Sequence, residues 1–212
     1  MNPADPTAYY TATGNPPGYW IGKGAELVGG KVGTTASSKT VRELINERRN
    51  PSNGQYLGDV KLVEGDNGEA PVAGFDLTTR QPKSISILWA FGDKETRDGI
   101  DECMRRATEM TIEYFERNTR PRARARAASP AYRPTGWPAS CSTITTVATA
   151  TRSHTSTSSS ATACAVRPTT VWTALDGRKI YASLVEISEV HENLLQDLLT
   201  ERFGWSWTLR QD

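Results

Sequence analysis

Tyr9 and Tyr10 are the only adjacent tyrosines in the 212-residue chain. A phenol titrates near pH 10, so it becomes a nucleophile at neutral pH only with a base or a metal ion beside it. The two rings could equally pack along an edge of the fold. Asp76 lies in the stretch Val72–Thr78, which reads as a strand. There it shares a face with Gly74 and Thr78, while Phe75 and Leu77 take the other. A carboxylate on the open face of a sheet suits an active-site floor, and it also suits an ordinary solvated strand. His154 and His191 are the only two histidines. Neither has a partner at metal-ligand spacing, so no metal ligand is assigned. Cys103, Cys141 and Cys164 form no CxxC pair and leave an odd thiol, which points to a reducing cytoplasm.

The elements that must hold these residues can be read in outline. Residues 1–24 are rich in Pro, Gly and aromatics and read as an irregular lead-in. Ser38 or Thr40 is a candidate cap for a helix over Val41–Asn50, with Leu44 and Ile45 as its apolar contacts and Asn50-Pro51 as the stop. In Ser84–Phe91 the residues Ile85, Ile87, Trp89 and Phe91 alternate with Ser84, Ser86, Leu88 and Ala90, which predicts a second strand paired with Val72–Thr78 through a short link. Residues 95–117 carry a helical stripe of Ile100, Cys103, Met104, Ala107, Met110, Thr111, Tyr114 and Phe115. A further helix is predicted over 183–203, with Leu184, Ile187, Val190, Leu194, Leu195, Leu198 and Leu199 inward and Gly204 as its stop. Two long helices and a strand pair give an α+β domain. No apolar run is long enough to span a membrane and no leader is visible.

One break interrupts this pattern. Residues 121–170 contain no Asp, Glu, Lys or Leu, and 30 of these 50 are Ala, Ser or Thr. All 24 acidic residues lie outside that stretch. It offers no usable period, and no regular structure is expected in it. Three regions follow: 1–119, 120–170 and 171–212. The net charge of +1 argues neither for nor against a nucleic-acid partner.

Three stretches in the flanking regions resemble the relaxases of conjugative plasmids in the TrwC/TraI (MobF) group. The first is Ala8-Tyr9-Tyr10 followed by Pro17-Gly18-Tyr19-Trp20-Ile21-Gly22-Lys23-Gly24-Ala25-Glu26, similar to a tyrosine pair and a P-G-x-W-x-G-x-G-A-E element. The second, Gly74-Phe75-Asp76-Leu77-Thr78 with Pro82-Lys83-Ser84-Ile85-Ser86, is similar to the family's F-D-L-T-x-x-x-P-K-S-V-S hairpin and is the most specific. The third, Val171–Arg178, is similar to a G-x-W-x-A-L-D segment. Together the matches span residues 9–119 and 171–212.

The resemblance implies a relaxase-like antiparallel sheet with flanking helices. It also implies that a tyrosine hydroxyl nicks one strand of single-stranded DNA at an origin of transfer, leaving a 5′-phosphotyrosine and a free 3′ end. Tyr9 and Tyr10 are then the candidate nucleophiles, and Asp76 matches the acid that deprotonates the tyrosine or orients a metal-ligating histidine. Lys23 and Lys83 sit in the elements that would touch DNA phosphates. Other conjugation proteins are candidate partners, with no membrane. The family's opening strand and helix would precede Tyr9, where eight residues stand here, so the sheet is expected to be incomplete.

The resemblance further implies a divalent metal ion held by three histidines, in F-x-H-x-x-S-R and P-Q-x-H-x-H stretches. The ligands are missing from this sequence, yet the gap has the right length for them. Reading each residue's third base with the first two of the next turns Arg120–Arg167 into a string containing F-D-H-Y-D-S-R and P-Q-P-H-L-H-F. Permitted codons suffice throughout, and Asp, His, Tyr and Asn codons ending in AC become Thr one frame over. Residues 120–170 are therefore expected to be an out-of-frame, disordered translation, leaving a domain of marginal stability that is defective as a nickase. Two other classes compete. A non-catalytic single-stranded-DNA-binding remnant is the stronger; the basic run Arg120–Arg126 suggests a DNA-binding arm, but under the frame reading it is a product of GC-rich codons. A Ser/Thr-rich structural stalk is the weaker.

Overall fold

The computed structural model describes residues 18–45, 47–57, 74–118, 141–150, 155–166, 171–174 and 177–208. In chain order they form β1 (Tyr19–Ile21), a 3-10 turn (Ala25–Val28), α1 (Ser38–Ile45), β2 (Gly74–Arg80), α2 (Lys83–Phe91), α3 (Lys94–Asn118), β3 (Cys141–Ala150), β4 (Thr155–Val166), β5 (Val171–Ala174) and α4 (Gly177–Phe203). The strands make one antiparallel sheet in the order β1-β3-β4-β2, with β5 also paired to β4. The chain is α+β, an antiparallel sheet flanked by helices.

The two long helical stripes meet as an antiparallel pair. Ile100, Cys103, Met104 and Ala107 of α3 pack with Leu195 and Leu199 of α4, and with Ile85 of α2. The partners recede in step along the pair. Gly99 lies under the Phe203 ring, the Cys103 thiol donates to the Leu198 carbonyl, and Thr111 meets His191. A methyl group on Gly99 would stand 2.6 Å from Cζ of Phe203, so the helices touch there at backbone range. A second cluster joins this pair to the sheet: Leu77 of β2 packs with Phe115, Ile180 and Ile187, and Phe75 and Leu184 lie against it. Gly204, at φ 70, ends α4, with its amide donating to the Thr200 carbonyl. The tail folds back, so Trp205 stacks on Phe203 with centroids 4.5 Å apart. The indole of Trp207 donates to the Gln196 carbonyl.

The structure corrects several expectations. Ser84–Phe91 is not a second strand, because Lys83–Phe91 is helix α2. Ile85 is 1% exposed, while Ile87 is 51% and Phe91 87% exposed. Ile85 and Trp89, four apart, both turn to the α3–α4 cluster, so the period that matters is helical. The cap of α1 is Ser37, whose hydroxyl oxygen accepts the Thr40 amide at 3.1 Å, in place of Ser38 or Thr40. Helix α4 begins at Gly177, six residues before the expected 183. The absence of regular structure expected over 120–170 does not hold for 141–150 and 155–166, which are strands β3 and β4.

Helix and strand readings of α2 make opposite forecasts, since a strand would place Ile85 and Ile87 on one face. Ile85→Ala should cost about 2–5 kcal/mol of unfolding free energy. Ile87→Ala should stay within about 0.5 kcal/mol of the parent chain. Urea unfolding of both variants, read by circular dichroism, distinguishes the two; equal losses would restore the strand.

Candidate functional site

The alternation of β2 puts Leu77 (7% exposed) into the helix-covered face of the sheet. Asp76 therefore occupies a position on the other face, where Thr78 is exposed. Its register partner is Ser159 on β4. Ser159 is paired with Val147 on β3, and Val147 with Trp20 on β1. Asp76 and Trp20, from the two most distinctive stretches of the sequence, thus lie in one row across the sheet. At a strand spacing of ~4.8 Å, the three steps amount to about 14 Å.

The chain leaves β1 through Gly22, at φ 80, and turns into the 3-10 turn at Ala25. Lys23 is exposed at this turn. Its backbone amide donates to Oε1 of Glu116 on α3, at 2.8 Å. Lys83 is exposed at the start of α2, just past the end of β2. The two candidate lysines therefore flank opposite edges of the sheet, since β1 and β2 are its outer strands. Tyr9, Tyr10 and His154 lie outside the described residues.

Three groups escaped the reading of the sequence. Glu116 is 6% exposed, although acids on an amphipathic helix ordinarily take its outer face. The others fit that face, as where Arg105 bridges Glu102 and Glu109. The available signal was position: Glu116 lies four residues past Ile112, next to Phe115, on the widened apolar stripe. His191 is 1% exposed. The Thr111 hydroxyl donates to the Ala107 carbonyl at 2.7 Å, which leaves Nδ1 of His191, 3.1 Å away, as the donor to Thr111 Oγ1. His191 is thus a satisfied core residue. Tyr19, packed beside Ile21 and Ile112, has its phenol pushed well above the ordinary tyrosine range. Burial is the main cause and the Glu109 carboxylate adds to it, so Tyr19 makes a poor nucleophile.

Among the described residues no group of three His, Cys, Asp or Glu side chains could hold a metal ion. No helix among them is long and apolar enough to cross a membrane.

A family model described as TrwC relaxase matches residues 2–212. Among solved structures, the metal-free conjugative relaxase TrwC in complex with OriT DNA is 22% identical with a TM-score of 0.68, covering 97% of this chain and 67% of that one. The metal-bound form of that complex has the same identity and TM-score, over 93% of this chain and 65% of that one. TrwC with a 27-mer DNA comprising the recognition hairpin and cleavage site is 22% identical with a TM-score of 0.68, over 98% and 70%. The chain thus spans about two thirds of the length of these structures, and the likeness concerns the fold. A comparison with curated proteins gave no match.

The buried imidazole makes stability depend on pH. Burial pushes His191 down from 6.5 to about 4. Between those values the unfolded chain takes up a proton that the folded chain refuses. Stability is therefore intact above pH 6.5 and falls as pH drops towards 4, by up to about 3 kcal/mol from this residue. Melting curves should show that fall for the parent chain and a shallower one for His191→Gln; identical pH profiles would sink the assignment.

Proposed function

We infer the function from one premise: the chain belongs to the TrwC relaxase family. The domain descends from one that nicks single-stranded DNA at an origin of transfer by tyrosine transesterification. In that reaction a tyrosine oxygen attacks the scissile phosphorus, the bond from phosphorus to the 3′ oxygen breaks, and the departing 3′ oxygen takes a proton. The phosphodiester energy stays in the 5′-phosphotyrosine, so the step is reversible. Tyr9 and Tyr10 are the candidate nucleophiles and Asp76 the candidate base or orienting acid. Lys23 and Lys83 are the candidate phosphate contacts.

The observation that carries this reading is the family match over residues 2–212. It is supported by the placement of Asp76 on the face of β2 away from the helices.

Metal-bound TrwC structures exist, and a metal ion would supply Lewis-acid polarisation of the scissile phosphate. The residues present do not fit a three-imidazole site. The sequence has two histidines, and His191 is buried against Thr111. We therefore read the polypeptide as defective in nicking. Residues 120–170 are proposed to be an out-of-frame translation of a segment that carried the histidine motif. In the neighbouring frame its three histidines fall at positions 143–144, 154–155 and 156–157. Residues 143–144 lie on β3, and residues 155–157 lie on β4, which pairs with the strand of Asp76. That coincidence of motif and strand pairing favours the frame reading.

The second reading, single-strand binding without cleavage, is favoured by the exposed lysines at two edges of the sheet. Incubation with a labelled single-stranded origin oligonucleotide and Mg2+ or Mn2+ should give no covalent band on a denaturing gel. Binding that weakens with salt should persist. A covalent adduct lost in Tyr9→Phe or Tyr10→Phe would show the chain to be active. The coding DNA across residues 141–158 decides the frame question, because codons that do not spell the histidine motif one base over end it.

A further inference from the structure

Glu116 stands where a carboxylate is poorly placed. It is 6% exposed and lies in the last turn of α3, at the negative end of the helix dipole. A buried charge in that position persists only if donors meet it. The Lys23 backbone amide does so at 2.8 Å, across 93 residues of sequence. The two sides of this contact differ in what holds them. Helix α3 is anchored by Ile112 and Phe115, 3% and 1% exposed. The Lys23 side chain, by contrast, reaches into solvent from a turn opened by Gly22 at φ 80.

We propose that Glu116 is the positioning residue of the Lys23 turn: its buried carboxylate fixes the peptide from which Lys23 reaches a DNA phosphate. The inference rests on the single-strand binding proposed above. It ties the end of β1 to α3, so the lysine takes its place from the helical core. Without the carboxylate the lysine keeps its charge and loses its address.

The test compares the full chain with Lys23→Ala, Glu116→Ala, Glu116→Gln and the Lys23→Ala/Glu116→Ala double variant. Two measurements are needed: amide hydrogen exchange by NMR, and oligonucleotide binding by fluorescence anisotropy across a salt series. Exchange at the Lys23 amide should rise at least tenfold in Glu116→Ala while the amides of Leu195 and Leu199 stay protected. Lys23→Ala and Glu116→Ala should each flatten the logarithmic salt dependence by about 0.7, the share of one single-strand phosphate contact. The double variant should lose no more than either single. Glu116→Gln, which keeps a carbonyl acceptor, should retain the parent slope, and it decides the matter if Glu116→Ala does not fold. Unchanged Lys23 exchange, losses that add in the double variant, or a flattened slope in the Gln variant overturns the positioning role alone. A parent chain with no salt-dependent binding overturns the proposed function and this role together.

Discussion

Strand β4 is the constraint on which the sheet depends. It takes β3 along one side and both β2 and β5 along the other. Its sequence, Thr155–Val166, holds nothing larger than valine. A strand of small residues contributes backbone hydrogen bonds and little apolar burial, and each such bond is a modest net gain. Among the described side chains, burial lies in the clusters that α2, α3 and α4 form with one another and with β2, and in the cluster around Trp20. The described residues thus show a helical half joined by packed side chains and a sheet joined by strand pairing.

That division explains which parts could be read from the sequence. The stripes of α3 and α4 announce themselves because helix packing needs large side chains at fixed spacing, and Gly204 marks the stop of α4 because glycine readily takes the positive φ of a helix cap. The face of Asp76 was also readable, since Phe75 and Leu77 alternate around it. Helix α2 was misread because Ile85, Ile87, Trp89 and Phe91 satisfy a period of two while only the Ile85–Trp89 pair is used for packing. Strands β3 and β4 gave no signal at all. Small polar residues carry no periodicity, and their strand state is set by the neighbours that pair with them.

The site divides along the same line. The strand that carries Asp76 could be read in advance, because Phe75 and Leu77 alternate along it. Glu116 and His191 could not, because their roles arise from partners 93 and 80 residues away. A charged or titratable side chain on an amphipathic helix is assigned to water by default, and only the tertiary contact reverses that. Residues 74–118 and 177–208 meet in the clusters directly. The family character of the flanks therefore has a physical body, whatever the middle segment contributes.

The contact of Gly99 with Phe203 lies at the C-terminal end of α4, and that of Thr111 with His191 lies well inside the same helix pair. They are separated by twelve residues on each helix, about 18 Å along the axis. The first is a ring seated where no Cβ fits, so it opposes sliding like a locating pin. The second is a directional hydrogen bond in a dry interior, so it opposes rotation. Two such fasteners of different kinds turn α3 and α4 into a stiff plate. Sliding and rotation of one helix on the other are therefore opposed at two separate points.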